Sequence, residues 1–292
     1  MTPRRYTSPD EDSGRWLDFP FRDGDIVIST RSKSGTTWMQ MICALLVLQT
    51  PELPAPLPEL SPWVDWLVEP YDDVLGRLEA QPHRRFMKTH TPLDGVVVDP
   101  RVTYIVVARD PLDLAVSLYH QGDNIDRERV AALTGQPVRP RRARPGPHEW
   151  LLSWVDDDTD RFARMDGLRG VLAHLADAWA RRAEPNVVLV HYDDLRTDLE
   201  GSMRALAGRL HIDVPEQRWP ELVQAATFEA MRAAAGTRAP DPGGVLKDPT
   251  AFFRTGTSGA GRALLSAPER AHYRDRVAAL APADLLEWLH RW

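Results

Sequence analysis

The chain has 292 residues, of which 43% are hydrophobic and 27% charged, with a net charge of −6 and one cysteine. That length allows a sizeable core in one large domain or two small ones. An acidic chain is a poor general binder of nucleic acid, because such binding needs Lys and Arg to neutralise phosphates, so any anion site has to be a local concentration of positive charge. A lone cysteine excludes an internal disulfide and fits a reducing, cytoplasmic setting. The opening stretch "MTPRRYTSPDEDSGRW" lacks the apolar core of a signal peptide. The longest apolar run, Met41 to Leu48, is far short of the ~18 residues of a membrane span.

Along the chain, Asp25–Ser29 reads as a buried strand and Thr37–Gln49 as an apolar helix containing Cys43. Between them lies a polar turn, Ser32, Lys33, Ser34, Gly35, Thr36 and Thr37. A turn that feeds a helix N-terminus points free N–H groups at an anion, and the helix dipole favours negative charge there. The order differs from the nucleotide loop G-x-x-x-x-G-K-[ST], since Lys33 precedes Gly35 and the leading glycine is missing. The plain structural reading is a cluster of capping residues with a solvated lysine.

Residues 50–62 form a proline-rich loop, followed by "SPWVDWLVEP" with Trp63 and Trp66. Arg85–Thr89 is a second strand, on which Lys88 and the following His90 share one face. A histidine at a strand's carboxyl end has the pKa of a general base; equally, lone histidines are often structural. Thr103–Ala108 is a third strand, leading to Arg109, Pro111 and a helix over Asp113–His120 that carries Ser117. Arg109 and Ser117 suit a second anion, while an ion pair of Arg109 with Asp110 or Asp113 is the plain alternative. Residues 121–150, rich in arginine and proline, are expected to form a mobile loop. Leu168–Arg182 is helical, and Asn186–Val190 is a fourth strand ending near Tyr192, Asp193 and Asp194. A helix over Leu199–Leu210, a glycine-rich turn over about 243–266 and a helical tail from about Ala267 to His290 complete the chain.

Alternation of strand and helix predicts an α/β fold, a central parallel sheet flanked by helices. In such sheets ligands collect at the carboxyl ends of the strands, where Lys33, His90, Arg109 and Tyr192 all fall. Two anion-binding segments and a base call for a ligand with two anionic ends and an acceptor that loses a proton. No metal-ligand set is visible in the sequence. Asp193 and Asp194 imitate a magnesium carboxylate but equally suit a turn or helix start.

These segments, in order from residue 25 to about 265, resemble the cytosolic-type sulfotransferases, which use 3′-phosphoadenosine 5′-phosphosulfate (PAPS). "RSKSGTTW" looks like their 5′-phosphosulfate loop, "VARDPLDLAVSLYH" their 3′-phosphate segment and "FMKTHTP" the strand with their catalytic histidine. "VHYDDL", "ATFEAMR" and "FFRTGTSGAGR" are similar to their later nucleotide segments. The resemblance implies one sulfotransferase domain over residues 1–292 with a P-loop-like fold and no metal. It implies that Lys33 stabilises the leaving group, His90 takes the acceptor proton and Lys88 supports the sulfonate. It further implies that Ser34, Gly35, Thr36 and Thr37 cradle the 5′-phosphate, that Trp38 and Phe228 flank adenine, and that Thr227 is one of the nucleotide-binding residues. Arg109, Ser117, Arg254 and the turn residues Thr255 and Gly256 would hold the 3′-phosphate, and Tyr192 would fix the nucleotide.

Thr255 stands where the family usually has lysine, and Gly259-Ala260-Gly261-Arg262 where it often has Gly-Asp-Trp-Lys. That region also forms part of the family's subunit contact, so a homodimer stays open. "HRRFMKTHTPLDG" looks most like the actinobacterial, mycobacterial-type sulfotransferases linked to glycolipids, which implies a lipidic or glycolipid hydroxyl as acceptor, with a phenol, steroid or other small alcohol as alternatives. Trp63, Trp66 and the 121–150 segment are candidate walls for it. The rival functions are a P-loop kinase using ATP and Mg²⁺, and a nucleotide-binding module without catalysis.

Overall fold

Four parallel strands, β1 (Ile26–Ser29), β2 (Phe86–Thr89), β3 (Thr103–Ala108) and β4 (Val187–His191), lie in the order β2-β1-β3-β4. The computed structural model describes residues 3–138 and 144–291. Each strand lies within one residue of its predicted span. Helices of eight residues or more are α1 (Thr36–Leu48), α2 (Tyr71–Ala80), α3 (Pro111–Asn124), α4 (Arg127–Thr134), α5 (Pro147–Val155), α6 (Leu168–Ala180), α7 (Leu199–Leu210), α8 (Ala267–Ala278) and α9 (Ala283–His290).

Strand side chains alternate between two cores, as the period of two requires. Val27, Met87, Tyr104, Val106 and Val187 point to one core, with apolar residues of α2, α3, α5, α6, α8 and α9. Ile26, Ile28, Phe86, Ile105, Val107 and Val188 point to the other, with α1 and α7. Both faces are therefore covered, which is why these strands read as nearly continuous apolar runs. β1 pairs in register with β2 (Ile26 opposite Phe86) and with β3 (Ile26 opposite Thr103). The segments after Ser29, Thr89, Ala108 and His191 consequently emerge along one edge of the sheet.

Four expectations change in detail. The Asp113–His120 helix is longer, because Asp110 caps it by accepting from the Leu112 and Asp113 amides and Pro111 occupies its first turn. The single C-terminal helix is two, α8 and α9, with Pro282 at the N-cap of α9; proline cannot supply the N–H that a continuous helix needs. The 121–150 segment holds the end of α3, all of α4 and the start of α5. Its residues 139–143 lie outside the described residues. The proline-rich stretch contains a short helix, Leu57–Leu60, and Cys43 is buried inside α1 as expected.

The N-terminal segment is docked. The Leu67 amide donates to Asp10 O at 2.8 Å, and the Asp12 amide to Asp65 O at 2.9 Å. Glu11 forms an antiparallel bridge with Trp66. This lays residues 10–12 beside residues 63–67, at the carboxyl edge of the sheet.

Candidate functional site

From Ser29 the chain turns through residues 30–35 into α1. Gly35 has φ 104°, and a Cβ there would sit 2.9 Å from the Tyr192 ring, so the position needs glycine on both counts. Lys33 also has a positive φ, 67°, a conformation that costs a side-chain-bearing residue about 1–2 kcal/mol. Its carbonyl accepts from Arg109 Nη1 at 3.0 Å, which helps to hold it there. No side chain caps α1, so its first amides are left to face an anion. The Thr36 hydroxyl is hydrogen-bonded to that of Thr30. The Lys33 ammonium donates to Gln121 Oε1 at 3.3 Å and lies 3.7 Å from the Phe252 ring centre. Burial first, then the charges of Arg109, Lys88 and Arg254, push its pKa down to about 7.

Arg109 leaves β3 with its guanidinium 4.4 Å from the centre of the Tyr192 ring, and its Nη2 donates to Thr257 O at 3.1 Å. Its Nε is buried without a partner, and so is that of Arg254. Burial, and then Arg109, lower the Arg254 pKa, so two cations face each other across the site. Among the described residues Arg109 makes no ion pair with Asp110 or Asp113, because Asp110 caps α3 and Asp113 accepts from the Gly259 and Gly261 amides, so both guanidinium groups can serve an anion.

The turn carrying Arg254 is pinned from three sides. Asp113 accepts from the Gly259 amide at 2.7 Å and the Gly261 amide at 2.8 Å. Arg196 Nε donates to Gly256 O at 3.0 Å. A Cβ on Gly261 would come within 2.4 Å of the Leu112 backbone, so Gly259-Ala260-Gly261 seats the turn on α3. Gly256, at φ 65°, is packed against Phe228, whose ring a Cβ would meet at 2.6 Å. Beside it, Trp38 donates from Nε1 to Ala226 O at 2.7 Å and stands edge-on to Tyr192. Asp193 and Asp194 are committed elsewhere. Asp193 accepts from Ser258 and pairs with Arg196, Asp194 pairs with Arg291, and both open the short helix Tyr192–Thr197.

His90 is buried just past β2. Its Nδ1 is hydrogen-bonded to the Thr30 carbonyl. A carbonyl can only accept, so Nδ1 carries the proton and Nε2 keeps a lone pair. Burial, and then Lys88 and Arg31, hold its pKa well below the ordinary value, so the imidazole is neutral at pH 7. Arg31 donates to the His90 carbonyl and pairs with Asp166 at 2.7 Å. Lys88 is buried on β2, its ammonium 4.5 Å from the centre of the Trp63 ring. Burial lowers its pKa to about 8, although Glu11, Asp65 and Glu69 oppose the shift.

One cavity of about 480 Å³ joins these parts. Lys33, Gly35, Thr36, Thr37, Trp38, Lys88, His90, Arg109, Ser117, Tyr192, Phe228, Arg254, Thr255 and Gly256 all line it. Two predicted residues stand apart. Ser34 is buried and not part of the wall. The Thr227 hydroxyl caps the helix Phe228–Ala233, accepting from the Ala230 amide and donating to Gln224 O; Thr227 does not line the cavity either. The sequence reading missed Gln121 and Phe252 beside Lys33, and Asp10, Glu11 and Asp166 at the far end. Gln121 is four residues after Ser117, so helical spacing from Ser117 would have found it.

The sequence pattern of the sulfotransferase domain family matches residues 23–276. A glycolipid sulfotransferase of Mycobacterium bovis is 41% identical over 98% of this chain and 93% of its own length. One of Mycobacterium tuberculosis is 40% identical over the same shares, and human sulfotransferase 2B1 is 28% identical over 73% of this chain and 53% of its own. In fold, the chain is similar to a mouse sulfotransferase complexed with PAP (TM-score 0.69, 19% identity, 96% of this chain and 92% of that one). It is also similar to retinol dehydratase in complex with androsterone and PAP (TM-score 0.67, 20% identity, 91% and 83%).

Proposed function

The chain belongs to the sulfotransferase family and is a sulfuryl-transferring enzyme, and from that premise we propose that it takes the sulfuryl group of PAPS to a hydroxyl of a glycolipid. The observation that carries this reading is His90, a neutral imidazole with Nδ1 tied to Thr30 and Nε2 left for an acceptor hydroxyl, on a wall shared with Lys33 and Lys88.

The donor supplies an activated sulfuryl group, and the protein's residues fit it. The α1 amides with Thr36 and Thr37 suit a 5′-phosphate, and the guanidinium groups of Arg109 and Arg254, both on the cavity wall, suit a 3′-phosphate. Trp38 and Phe228 flank the place for adenine. Thr255 supplies no charge where the family usually has lysine, and Arg109 and Arg254 are left to carry the 3′ end. Lys33 places positive charge where the leaving oxygen gains negative charge. Lys88 does the same for the transferring group. His90 Nε2 takes the hydroxyl proton.

The acceptor end has two characters. Its lining includes the acids Asp10, Glu11 and Asp166 with Trp63 and Trp66, and also the apolar side chains of Ile125, Val130, Met231, Val245 and Leu246. A molecule with a hydroxylated head and an apolar body meets both. A donor labelled with ³⁵S, incubated with enzyme and an actinobacterial lipid extract, tests this. Label is expected in a polar lipid that resists delipidation by water washing; label accepted only by water-soluble phenols would overturn the glycolipid assignment.

A further inference from the structure

Thr30 and Arg31 lie just past β1, and no helix or strand fixes the peptide that joins them. The carbonyl of that peptide, Thr30 O, is the partner of His90 Nδ1. Its direction therefore decides which ring nitrogen of His90 carries the proton. The Thr30 amide donates to Thr89 O at 3.2 Å, but that amide belongs to the preceding peptide and leaves the next plane free to turn.

Arg31 holds the plane from its other end. Its side chain is 3% exposed and reaches back to His90, where Nη1 donates to the His90 carbonyl. His90 and residues 30–31 thus grip each other twice, ring to backbone and backbone to side chain. Asp166 takes the far side of the guanidinium, with Nε and Nη2 donating to its Oδ1 at 3.1 and 2.7 Å. Asp166 is placed in turn by Trp154, whose Nε1 donates to the Asp166 carbonyl at 2.9 Å. A buried guanidinium keeps one geometry when its charge is matched and its donors are used. The chain on either side of His90 has its own support, since the Thr89 and Thr91 hydroxyls both donate to Asp65 Oδ2 at 2.6 Å. What Arg31 adds is control of the Thr30 carbonyl, and through it of the ring.

We infer that Arg31, held by Asp166, is a positioning residue that keeps the Thr30 carbonyl on His90 Nδ1 and so leaves the lone pair on Nε2. Its use in catalysis rests on the reading of His90 as the proton acceptor, whereas the tautomer is measured without any acceptor.

Protein labelled with ¹⁵N in its nine histidines reports the tautomer by NMR at pH 7, because a bare ring nitrogen and a protonated one differ widely in shift. The His90 signals are those lost in His90→Asn. Wild type should carry the proton on Nδ1. Arg31→Met, similar in length and uncharged, should lower the ratio of the two tautomers about tenfold, the scale of one hydrogen bond. Arg31→Lys, which keeps a charged donor, should recover most of it. A melting curve shows that each variant is folded. Should Arg31→Met not fold, Arg31→Gln, too short to reach the His90 carbonyl, takes its place with the same expectation. A wild-type His90 with its proton on Nε2 overturns the clamp, and so does a ratio unchanged in the uncharged variant or equally lowered in Arg31→Lys. A purely structural role for Arg31 would lower the melting temperature and leave the ratio as it was. Transfer from ³⁵S-labelled PAPS to the actinobacterial lipid extract is scored separately. A lowered ratio with undiminished transfer supports the clamp and counts against His90 as the proton acceptor. An unchanged ratio with diminished transfer overturns the clamp and leaves that reading standing.

Discussion

Arg254→Ala separates the two phosphate positions. The Arg254 Nε is buried and unpaired, and the residue as a whole is half-buried. A hydrogen bond to a charged group contributes about 1.5–3 kcal/mol, and partial exposure places Arg254 in the lower part of that range. A loss of about 2 kcal/mol is roughly a thirtyfold weaker Kd, at 1.4 kcal/mol per factor of ten. The loss should fall on adenosine 3′,5′-bisphosphate, while AMP, which lacks the 3′ group, should bind within about twofold of wild type. The unliganded protein should not suffer. Burial, and then like-charge repulsion from Arg109, hold the Arg254 pKa down, so removing Arg254 should leave the apo Tm unchanged or slightly raised. Isothermal titration of both nucleotides, with a melting curve of the apo protein, covers all three quantities. Equal losses for AMP and the bisphosphate would mean that Arg254 serves the turn and not the 3′-phosphate.

The Lys33 pKa of about 7 makes donor-side affinity pH-dependent. An anion binds the protonated lysine better, so its bound pKa is raised above the free value. Affinity is therefore full below pH 7 and falls as pH rises from 7 towards the bound pKa, by roughly tenfold between pH 6.5 and 8.5 for one such group. A flat bisphosphate Kd over that range would remove Lys33 from the anion site. Gly256→Ala places a Cβ 2.6 Å from the Phe228 ring at φ 65°, so it should weaken AMP and the bisphosphate alike, by at least about tenfold. A loss confined to the bisphosphate would move Phe228 away from adenine.

The parts of the site that were legible in the sequence are those encoded locally. A strand, a polar turn and a helix follow one another within residues 26–48, and the strands are continuous apolar runs because the sheet is buried on both faces. Residues at strand ends converge because parallel strands share one carboxyl edge, so Lys33, His90, Arg109 and Tyr192 could be grouped without coordinates. The acceptor wall was not legible for the opposite reason. Glu11 reaches the cavity through a bridge to Trp66, 55 residues away, and within "SPDEDSG" it reads as one acid in a polar tail. Asp166 is placed by Arg31, 135 residues distant. Thr227 was named from its neighbourhood in a resembling segment, whereas its hydroxyl is used by the helix it caps. The tautomer of His90 depends on the Thr30 carbonyl, a contact across 60 residues, which no reading of "FMKTHTP" alone contains.

A single-turnover experiment tests the central claim most directly. Enzyme is mixed with one equivalent of ³⁵S-labelled PAPS in EDTA, an acceptor found by the lipid screen is added, and label on the acceptor is followed in time for wild type and His90→Asn. With His90 as the proton acceptor, wild type should move the label without added metal, and His90→Asn should bind the donor normally while transferring ~10²–10⁴ times more slowly. Transfer at the wild-type rate by His90→Asn, or a wild-type reaction that stops in EDTA and returns with Mg²⁺, would contradict the account.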